Sequence, residues 1–374
     1  MNERSGGHRL KMGEHLTQTI VMGVMVIPSN SKNRAAIRAT WLSEASASML
    51  VRFVAGDVAC ARKHMQREAD EFGDVAFVAS RDCTKHVSPE KVHAWFTYAV
   101  HRWRTPWIGK MEDDGVLWPS ALMTDLNSLP QAPHQRTYVG IMQWQGSCKL
   151  NEVTSADGNY QRCAACWGGW FEGGRGPSSS NCPPMVRRGV LSFPGAEGSF
   201  DCPSLHFNPF ACGPLEVRSR ALALDVASCA YADRYFSAMS VRKGANNLMC
   251  VSADGGQGHA IGHCIPSLEV ADLGSARQRF GTIRQLNGSN AVMIVHPIKK
   301  GILEEWERSW HFMRRAPYRP APIGSVHLAV TNSSSRPTLA RYRLPASEHR
   351  SSRRGRPKSG YAFTPRYSST VPAA

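Results

Sequence analysis

A short apolar run ending in three adjacent carboxylates constrains this chain more than any other feature. The run is Trp107-Ile108-Gly109-Lys110-Met111, and the acids are Glu112, Asp113 and Asp114, followed by Gly115 and Val116. The apolar residues read as a buried strand, and the glycine after the acids marks the turn out of it. Like charges at one strand end repel one another, so the position demands a cation. Hard oxygen ligands suit Mg²⁺ or Mn²⁺, with phosphate oxygens filling the remaining coordination sites. A solvated acidic turn is the other reading of the triplet taken alone, because short acidic runs are common on surfaces.

Strands and helices alternate around this run. Residues 19–27 predict a buried strand, Pro28-Ser29-Asn30-Ser31 a loop, and residues 33–41 a helix with Arg34 and Arg38 on one face. Strand, Ser/Asn loop and helix start in that order can seat a nucleotide. An ordinary strand–helix unit with a basic surface helix has the same pattern. Residues 49–55 and 75–78 predict further strands, separated by a polar helix at 61–72. Ser88-Pro89-Glu90-Lys91 starts the next helix: Ser accepts from first-turn amides, Pro fits the first helical position, and Glu suits the helix dipole. That helix runs to about residue 103 and leads into the Trp107 strand. Beyond the acids, residues 119–126 predict a helix, 137–142 a strand, 209–217 a strand through Cys212-Gly213-Pro214, and 219–236 a single helix. Ala253-Asp254-Gly255-Gly256-Gln257-Gly258 reads as a Gly-rich loop bearing one carboxylate. Residues 292–295 predict a strand ending on His296, and 302–314 an amphipathic closing helix. The alternation indicates an α/β fold with a doubly wound sheet and sites at strand C-termini. No internal repeats are present.

The 374 residues suffice for one large core or two smaller ones. We divide them into a polar leader at 1–15, a domain at 16–316 and a basic Pro/Ser/Arg-rich tail at 317–374, expected to be disordered. Within the domain, residues 143–208 lose periodicity and form a Cys/Gly-rich insertion. From Arg314 onward twelve Lys/Arg face Glu348 alone, leaving about +5 of the net +16 for everything before. The basicity is a property of the tail. The eleven cysteines, nine of them between Cys148 and Cys264, point to disulfides in a secretory compartment. Cys163-Ala-Ala-Cys166 is alternatively half of a zinc site, though no second such pair completes it. The apolar run at 20–27 is too short to cross a bilayer and lacks signal-peptide flanks. Either the protein is soluble or an anchor precedes this chain.

Several stretches in register resemble one family, the β-1,3-galactosyltransferase and Fringe group, glycosyltransferase family thirty-one. Asn33-Arg34-Ala35-Ala36-Ile37-Arg38-Ala39-Thr40-Trp41 resembles its R-x-x-I-R-x-T-W opening. Glu68 with Gly73-Asp74, then Asp82 and Ser88-Pro89-Glu90-Lys91, resemble the E…G-D-x segment and the later L-T-x-K. Lys110 to Val116 is similar to K-x-D-D-D-V-F, with Glu112 for the first Asp and Gly115 inserted. Pro209-Phe210-Ala211-Cys212-Gly213-Pro214 through Ser219-Arg220 resembles Y-P-x-Y-x-x-G-x-G-Y-V-x-S. Ala253-Asp254 to Gly258 stands where the family has E-D-V-x-x-G, and Ile294-Val295-His296 resembles its late strand ending in His. The resemblance spans about residues 18–316.

It implies a GT-A type fold, Rossmann-like and doubly wound with a mixed sheet. The implied activity is an inverting, metal-dependent hexosyltransferase. It would move galactose or N-acetylglucosamine from a UDP-sugar to a hydroxyl of a glycan, glycoprotein or glycolipid acceptor, in a β-1,3 linkage. On the resemblance, Asp114 and His296 hold Mn²⁺ (or Mg²⁺), a Lewis acid for the departing diphosphate, with Glu112 and Asp113 close by. Asp254 is the general base. Arg34, Arg38, Asp82, Lys91, Glu112, Asp113 and Gly213 are implied nucleotide-sugar contacts. Golgi or other secretory-lumen residence is also implied, with membrane association only through an anchor outside this chain. Sequons at Asn287 and Asn332 fit that route. The chain departs from the pattern at Ala253 (for Glu), at Gly255-Gly256, at Glu216 (for Tyr), and in the insertion.

A rival from another class lies in the tail. Arg353-Arg354-Gly355-Arg356-Pro357-Lys358 resembles an AT-hook core, which lays a flat basic segment in an A·T minor groove. A solvated extension accounts for the same composition, so nucleic acid is not the expected partner. A sugar-binding homologue without turnover is the third reading.

Overall fold

An inner strand of a parallel sheet is covered on both faces and so reads as an unbroken apolar run. β1 (Ile20–Met25) has this character, with every residue buried. After it come α1 (Ser31–Ala39), β2 (Met49–Gly56), α2 (Ala59–Phe72), β3 (Val75–Val78), α3 (Pro89–Arg102) and β4 (Trp107–Glu112). β1 pairs in parallel with β2 and with β4, and β2 in parallel with β3. This computed structural model describes residues 19–81, 83, 88–130, 134–147, 168–169, 206–241, 253–265, 267–273, 280–281, 293–296, 298, 302–314, 318, 323–330 and 337–343. All of them fall within one compact unit, Met1–Leu344.

Past the acids the chain forms β5 (Val116–Leu117), α4 (Pro119–Ser128), β6 (Thr137–Ser147), β7 (Gly168–Gly169) and β8 (His206–Ser219). Then follow α5 (Arg220–Ala227), α6 (Ala230–Val241), α7 (Ala253–Cys264), β9 (Ser267–Asp272), β10 (Phe280–Gly281) and β11 (Ile294–Val295). α8 (Leu303–Met313), β12 (Gly324–Val330) and β13 (Pro337–Arg343) complete the described elements. The main sheet is ordered β13-β12-β9-β6-β8-β4-β1-β2-β3. β8 lies antiparallel between β4 and β6, and β9 runs parallel to β6. The sheet is therefore mixed, as expected. A small second sheet joins β10, β11 and β5.

Alternate residues of β1 feed two cores. Ile20, Met22 and Val24 pack with Trp41, Trp107 and Trp306 on one face; Val21 and Met25 pack with Trp95, Phe96 and Trp103 of the α3 layer on the other. This is the doubly wound arrangement. The α3 layer sits close: Trp95 Nε1 donates to the Gly109 carbonyl at 2.9 Å, and a Cβ on Gly23 would lie 2.4 Å from the Trp95 ring. Ser88 caps α3 as expected, accepting from Lys91 N, with Pro89 in the first helical position.

Strand directions fix which edge carries chemistry. β4 ends on Glu112 at the carboxyl edge of the parallel strands. β6 and β9 point the same way as β4, so α7, which leads into β9, starts near that edge. Contacts agree: Gln257 of α7 reaches the Pro89 carbonyl at the start of α3, and Lys91 Nζ reaches the Val26 carbonyl just past β1.

Four expectations are corrected. Residues 253–258 form the first turns of α7, not a loop. Glycines cost about 1 kcal/mol each in a helix, but packing overrides this: Gln257, Ala260 and Ile261 are buried. Residues 219–236 form two helices, because the chain breaks at Ser228 and Cys229 pairs with Cys264. The insertion is narrower than 143–208, since β6 extends to Ser147 and β8 begins at His206. Strand pairing continues beyond residue 316, where β12 joins β9 and β13 joins β12. The alternation of Val326, Leu328 and Val330 carries that signal beneath a Pro/Ser/Arg composition.

Candidate metal and nucleotide-sugar site

The end of β4 and the end of β11 come together through β5. β5 pairs antiparallel with β11, matching Val116 to Val295 and Leu117 to Ile294. Two backbone bonds clamp the flanks, Ile298 N to the Asp114 carbonyl at 2.7 Å and Trp118 N to the Met293 carbonyl at 2.8 Å. His296, one residue past β11, is thereby set against the acidic turn. Its Nε2 lies 3.1 Å from Glu112 Oε2 and 3.0 Å from Asp114 Oδ1. Donor atoms of Glu112, Asp114 and His296 all fall within 4.8 Å of one another.

The electrostatics show what the cluster requires. Burial alone would push the His296 imidazolium down, but hydrogen bonds and charge from Asp114 and Glu112 outweigh it and raise the group to about 9. Two partly buried carboxylates thus favour a positive charge between them. A donor set of two carboxylates and one imidazole fits a divalent cation of the Mn²⁺ or Mg²⁺ kind, with the imidazole favouring the transition metal.

Asp113 turns the other way. It is fully buried, its carbonyl accepts from Asn33 Nδ2 at 2.9 Å, and Asn30 Nδ2 stands 3.5 Å from its Oδ2. The acidic turn is thus tied to α1 and the loop before it. The Asn-bearing loop that suggested a nucleotide seat is itself the signal for that tie. Glu112, expected among the nucleotide contacts, also offers a carboxylate oxygen to the group with Asp114 and His296 that could hold a metal ion.

Gly213 sits in β8 at φ +44°, a conformation that side chains with a Cβ rarely adopt. A bulge requires it. The β6–β8 register jumps from Gly140↔Glu216 to Met142↔Ala211, so residues 212–215 face Ile141 alone. The Gly213 carbonyl accepts from buried Lys110 Nζ at 3.0 Å, which ties the bulge to the last turn of β4 before the acids.

Arg34, Arg38 and Lys91, expected as nucleotide-sugar contacts, each have partners within the protein. Arg34 is fully buried, holds Glu68 through Nε and Nη2 at 2.9 and 2.5 Å, and donates to the Ile27 carbonyl. Arg38 bridges Glu68 and Asp74 and stacks over Phe72. Lys91 is fully buried on the Val26 carbonyl. Taking a guanidinium or ammonium out of water demands a partner, and protein carboxylates and carbonyls fill that role here. Arg34 and Lys91 thereby anchor the loop between β1 and α1.

Asp254 lies in the first turn of α7. Asp82 lies outside the described residues, as do Cys163 and Cys166, both sequons and the Arg353–Lys358 segment. The described disulfides are Cys60–Cys83 and Cys229–Cys264; the first lies outside the cysteine cluster that the sequence emphasised. Among the described residues no helix is long and apolar enough to cross a membrane.

Comparison with known proteins bears on the class. Residues 32–165 match the family model described as galactosyltransferase, which bears out the resemblance over the stretch holding α1, the acidic turn and β6. The match supports glycosyl transfer as the class of reaction. No curated protein matches the chain. Among solved structures, the chain is similar to an active-site mutant of LgtC (11% identity, 80% of this chain and 97% of that one, TM-score 0.32). It is also similar to galactosyltransferase LgtC in complex with donor and acceptor sugar analogs (9% identity, the same coverages, TM-score 0.33).

Proposed function

We propose that this protein is an inverting hexosyltransferase of GT-A type that moves galactose or N-acetylglucosamine from a UDP-sugar to a glycan hydroxyl, in a β-1,3 linkage. The observation that carries the reading is the convergence of Glu112, Asp114 and His296 within 4.8 Å at the carboxyl edge of the sheet. These three residues would hold Mn²⁺ or Mg²⁺, which when bound offsets charge building on the diphosphate.

The chain's own residues do the rest. Asn33 and the buried backbone of Asp113 hold the acidic turn against α1, so the ligand set is assembled before donor arrives. Lys110 ties the Gly213 bulge to the strand that bears the acids, which supports Gly213 as part of the donor cradle. Asp82 remains the proposed further contact on the nucleotide side. Asp254 takes the proton from the acceptor hydroxyl as that oxygen bonds to the anomeric carbon. The bond from that carbon to the diphosphate oxygen breaks, its electron pair leaves with UDP, and the configuration inverts. The two described disulfides support a secretory-lumen setting.

The test is UDP release from a panel of UDP-sugars with a glycan acceptor, with and without Mn²⁺, on the parent chain, Asp114→Ala and Asp254→Asn. Metal-dependent turnover of one donor, lost in Asp114→Ala, supports the transferase. Retained donor binding with transfer lowered by about 10²–10⁴-fold in Asp254→Asn supports the base. No metal-dependent UDP binding and no turnover would exclude it.

A further inference from the structure

Glu216 and Arg218 alternate on β8, so both point to the α3 side of the sheet, and both side chains are fully buried. Arg218 grips Glu216 Oε1 with Nε at 2.8 Å and Nη2 at 2.6 Å, and its guanidinium lies 3.8 Å from the Phe96 ring centre. The same Nη2 donates to Gln257 Oε1 at 2.7 Å, and Gln257 Nε2 donates to the Pro89 carbonyl at 3.0 Å. Gln257 is fully buried too. A polar chain thus runs from β8 through α7 to the first residue of α3.

A buried ion pair is weak evidence for stability. Well-packed apolar residues of similar volume often do as well or better, because desolvation of both charges offsets their attraction. What such a pair does supply is direction. Arg218 presents the second hydrogen of Nη2 at a fixed point, where Gln257 Oε1 on α7 accepts it, while Nη1 is buried with no hydrogen-bond partner among the described residues. Gln257 sits one helical turn after Asp254, on the helix that begins at the edge carrying Glu112. Gly255 and Gly256, between Asp254 and Gln257, carry no side chain, and Gln257 is the buried residue nearest Asp254 on α7 whose hydrogen bonds tie the helix to both β8 and α3.

We propose that Gln257 is a positioning residue. Held by Arg218 and the Pro89 carbonyl, it fixes the first turn of α7 so that Asp254 meets the acceptor hydroxyl. The inference rests on the transferase reading above, and adds to it Gln257, with Glu216 and Arg218 behind it. Glu216, where the resemblance leads one to expect Tyr, then belongs with Arg218 and Gln257 as one functional unit.

The experiment is steady-state transfer from UDP-galactose or UDP-N-acetylglucosamine, whichever the parent chain uses, to a glycan acceptor. A misplacement of about 1 Å in a reacting group can cost about 100-fold. Gln257→Leu is expected to lower kcat by about ten- to a hundred-fold while donor KM stays within about twofold. In the Asp254→Asn background, the same change is expected to have no further effect on kcat, since the base it positions is gone. A purely structural role would add its loss in both backgrounds. Should Gln257→Leu fail to fold, the Glu216→Leu/Arg218→Leu double variant removes the ion pair without leaving one charge buried, and the same cycle is read on it. A kcat within twofold of the parent, or equal losses with and without Asp254, overturns the positioning role and leaves the transferase intact. A parent chain that transfers from neither donor overturns both.

Discussion

His296 Nε2 lies 3.1 Å from Glu112 Oε2 although 184 residues of chain separate them. Their meeting is made by the pairing of β5 with β11, which brings one strand end over another. Removing either side should therefore abolish one and the same site. We expect His296→Ala and Asp114→Ala each to weaken Mn²⁺ binding by about 100-fold or more, since even residues that only orient ligands are worth about 10- to 100-fold. Isothermal titration with Mn²⁺ alone measures this, and an unchanged affinity in either variant would remove that residue from the site.

Metal binding at this cluster should be proton-linked. With His296 raised to about 9, its imidazole is protonated at neutral pH, and a ligand must be neutral. Mn²⁺ affinity should rise as pH increases towards about 9 and then level off. Without metal the sign is opposite. The raised group adds stability in full below its ordinary value of 6.5, and loses it as pH climbs through about 9. Metal titrations in buffers of differing ionisation enthalpy, with metal-free melts at matched pH, give both slopes. A flat affinity profile between pH 6 and about 9 would contradict the linkage.

The Arg34–Glu68 pair predicts a stability effect. Glu68→Ala would leave the fully buried Arg34 guanidinium unpaired, a loss of roughly 3–5 kcal/mol. Burial works to raise the Glu68 carboxyl, but hydrogen bonds and charge from Arg34 and Arg38 outweigh it and hold the group below its ordinary value of 4.5. Its contribution is thus complete above that value and disappears as pH falls through the depressed one. Denaturant titration of the parent and of Glu68→Ala at neutral and acid pH checks both. A cost below about 1 kcal/mol, the range of exposed pairs, would show that Arg34 finds other partners.

Packing over β1 predicts a fourth phenotype. A Cβ at position 23 would lie 2.4 Å from the Trp95 ring, so Gly23→Ala must push α3 outward. Overpacking of this kind costs about 1–3 kcal/mol. It should also lengthen the Trp95–Gly109 hydrogen bond, visible as a shift in Trp fluorescence. Melting at the parent temperature would show that α3 yields freely.

The Cys229–Cys264 bridge joins the start of α6 to the end of α7, closing a loop of sequence separation 35. Losing it should destabilise by about 2–4 kcal/mol. A Cys229→Ser/Cys264→Ser double variant, compared by thermal melts with the oxidised parent, gives the value. A free thiol at Cys264 in the parent, detected by alkylation and mass spectrometry, would exclude the bridge.

Much of this fold is written locally. Unbroken apolar runs mark β1 and β4, Ser88-Pro89 marks the start of α3, and Trp306, Trp310 and Met313 mark the buried stripe of α8, because burial on one or both faces imposes a period that neighbouring residues must obey. The acidic turn was legible for the same reason, as a concentration of like charge that sequence alone cannot satisfy. The partners of charge were not. Arg34 and Arg38 look the same on paper whether they face a phosphate or Glu68, and only the packing of α1 against α2 gives them to Glu68 and Asp74. The glycines at 255 and 256 argue for a loop until α7 is seated on β8 and Gln257 finds Arg218. Local sequence determines which segments are strand or helix and where charge collects, since those depend on neighbours a few residues away. Tertiary structure decides which charges meet, because that depends on which strand ends the sheet order places side by side, and a buried charge takes whatever partner lies within reach there.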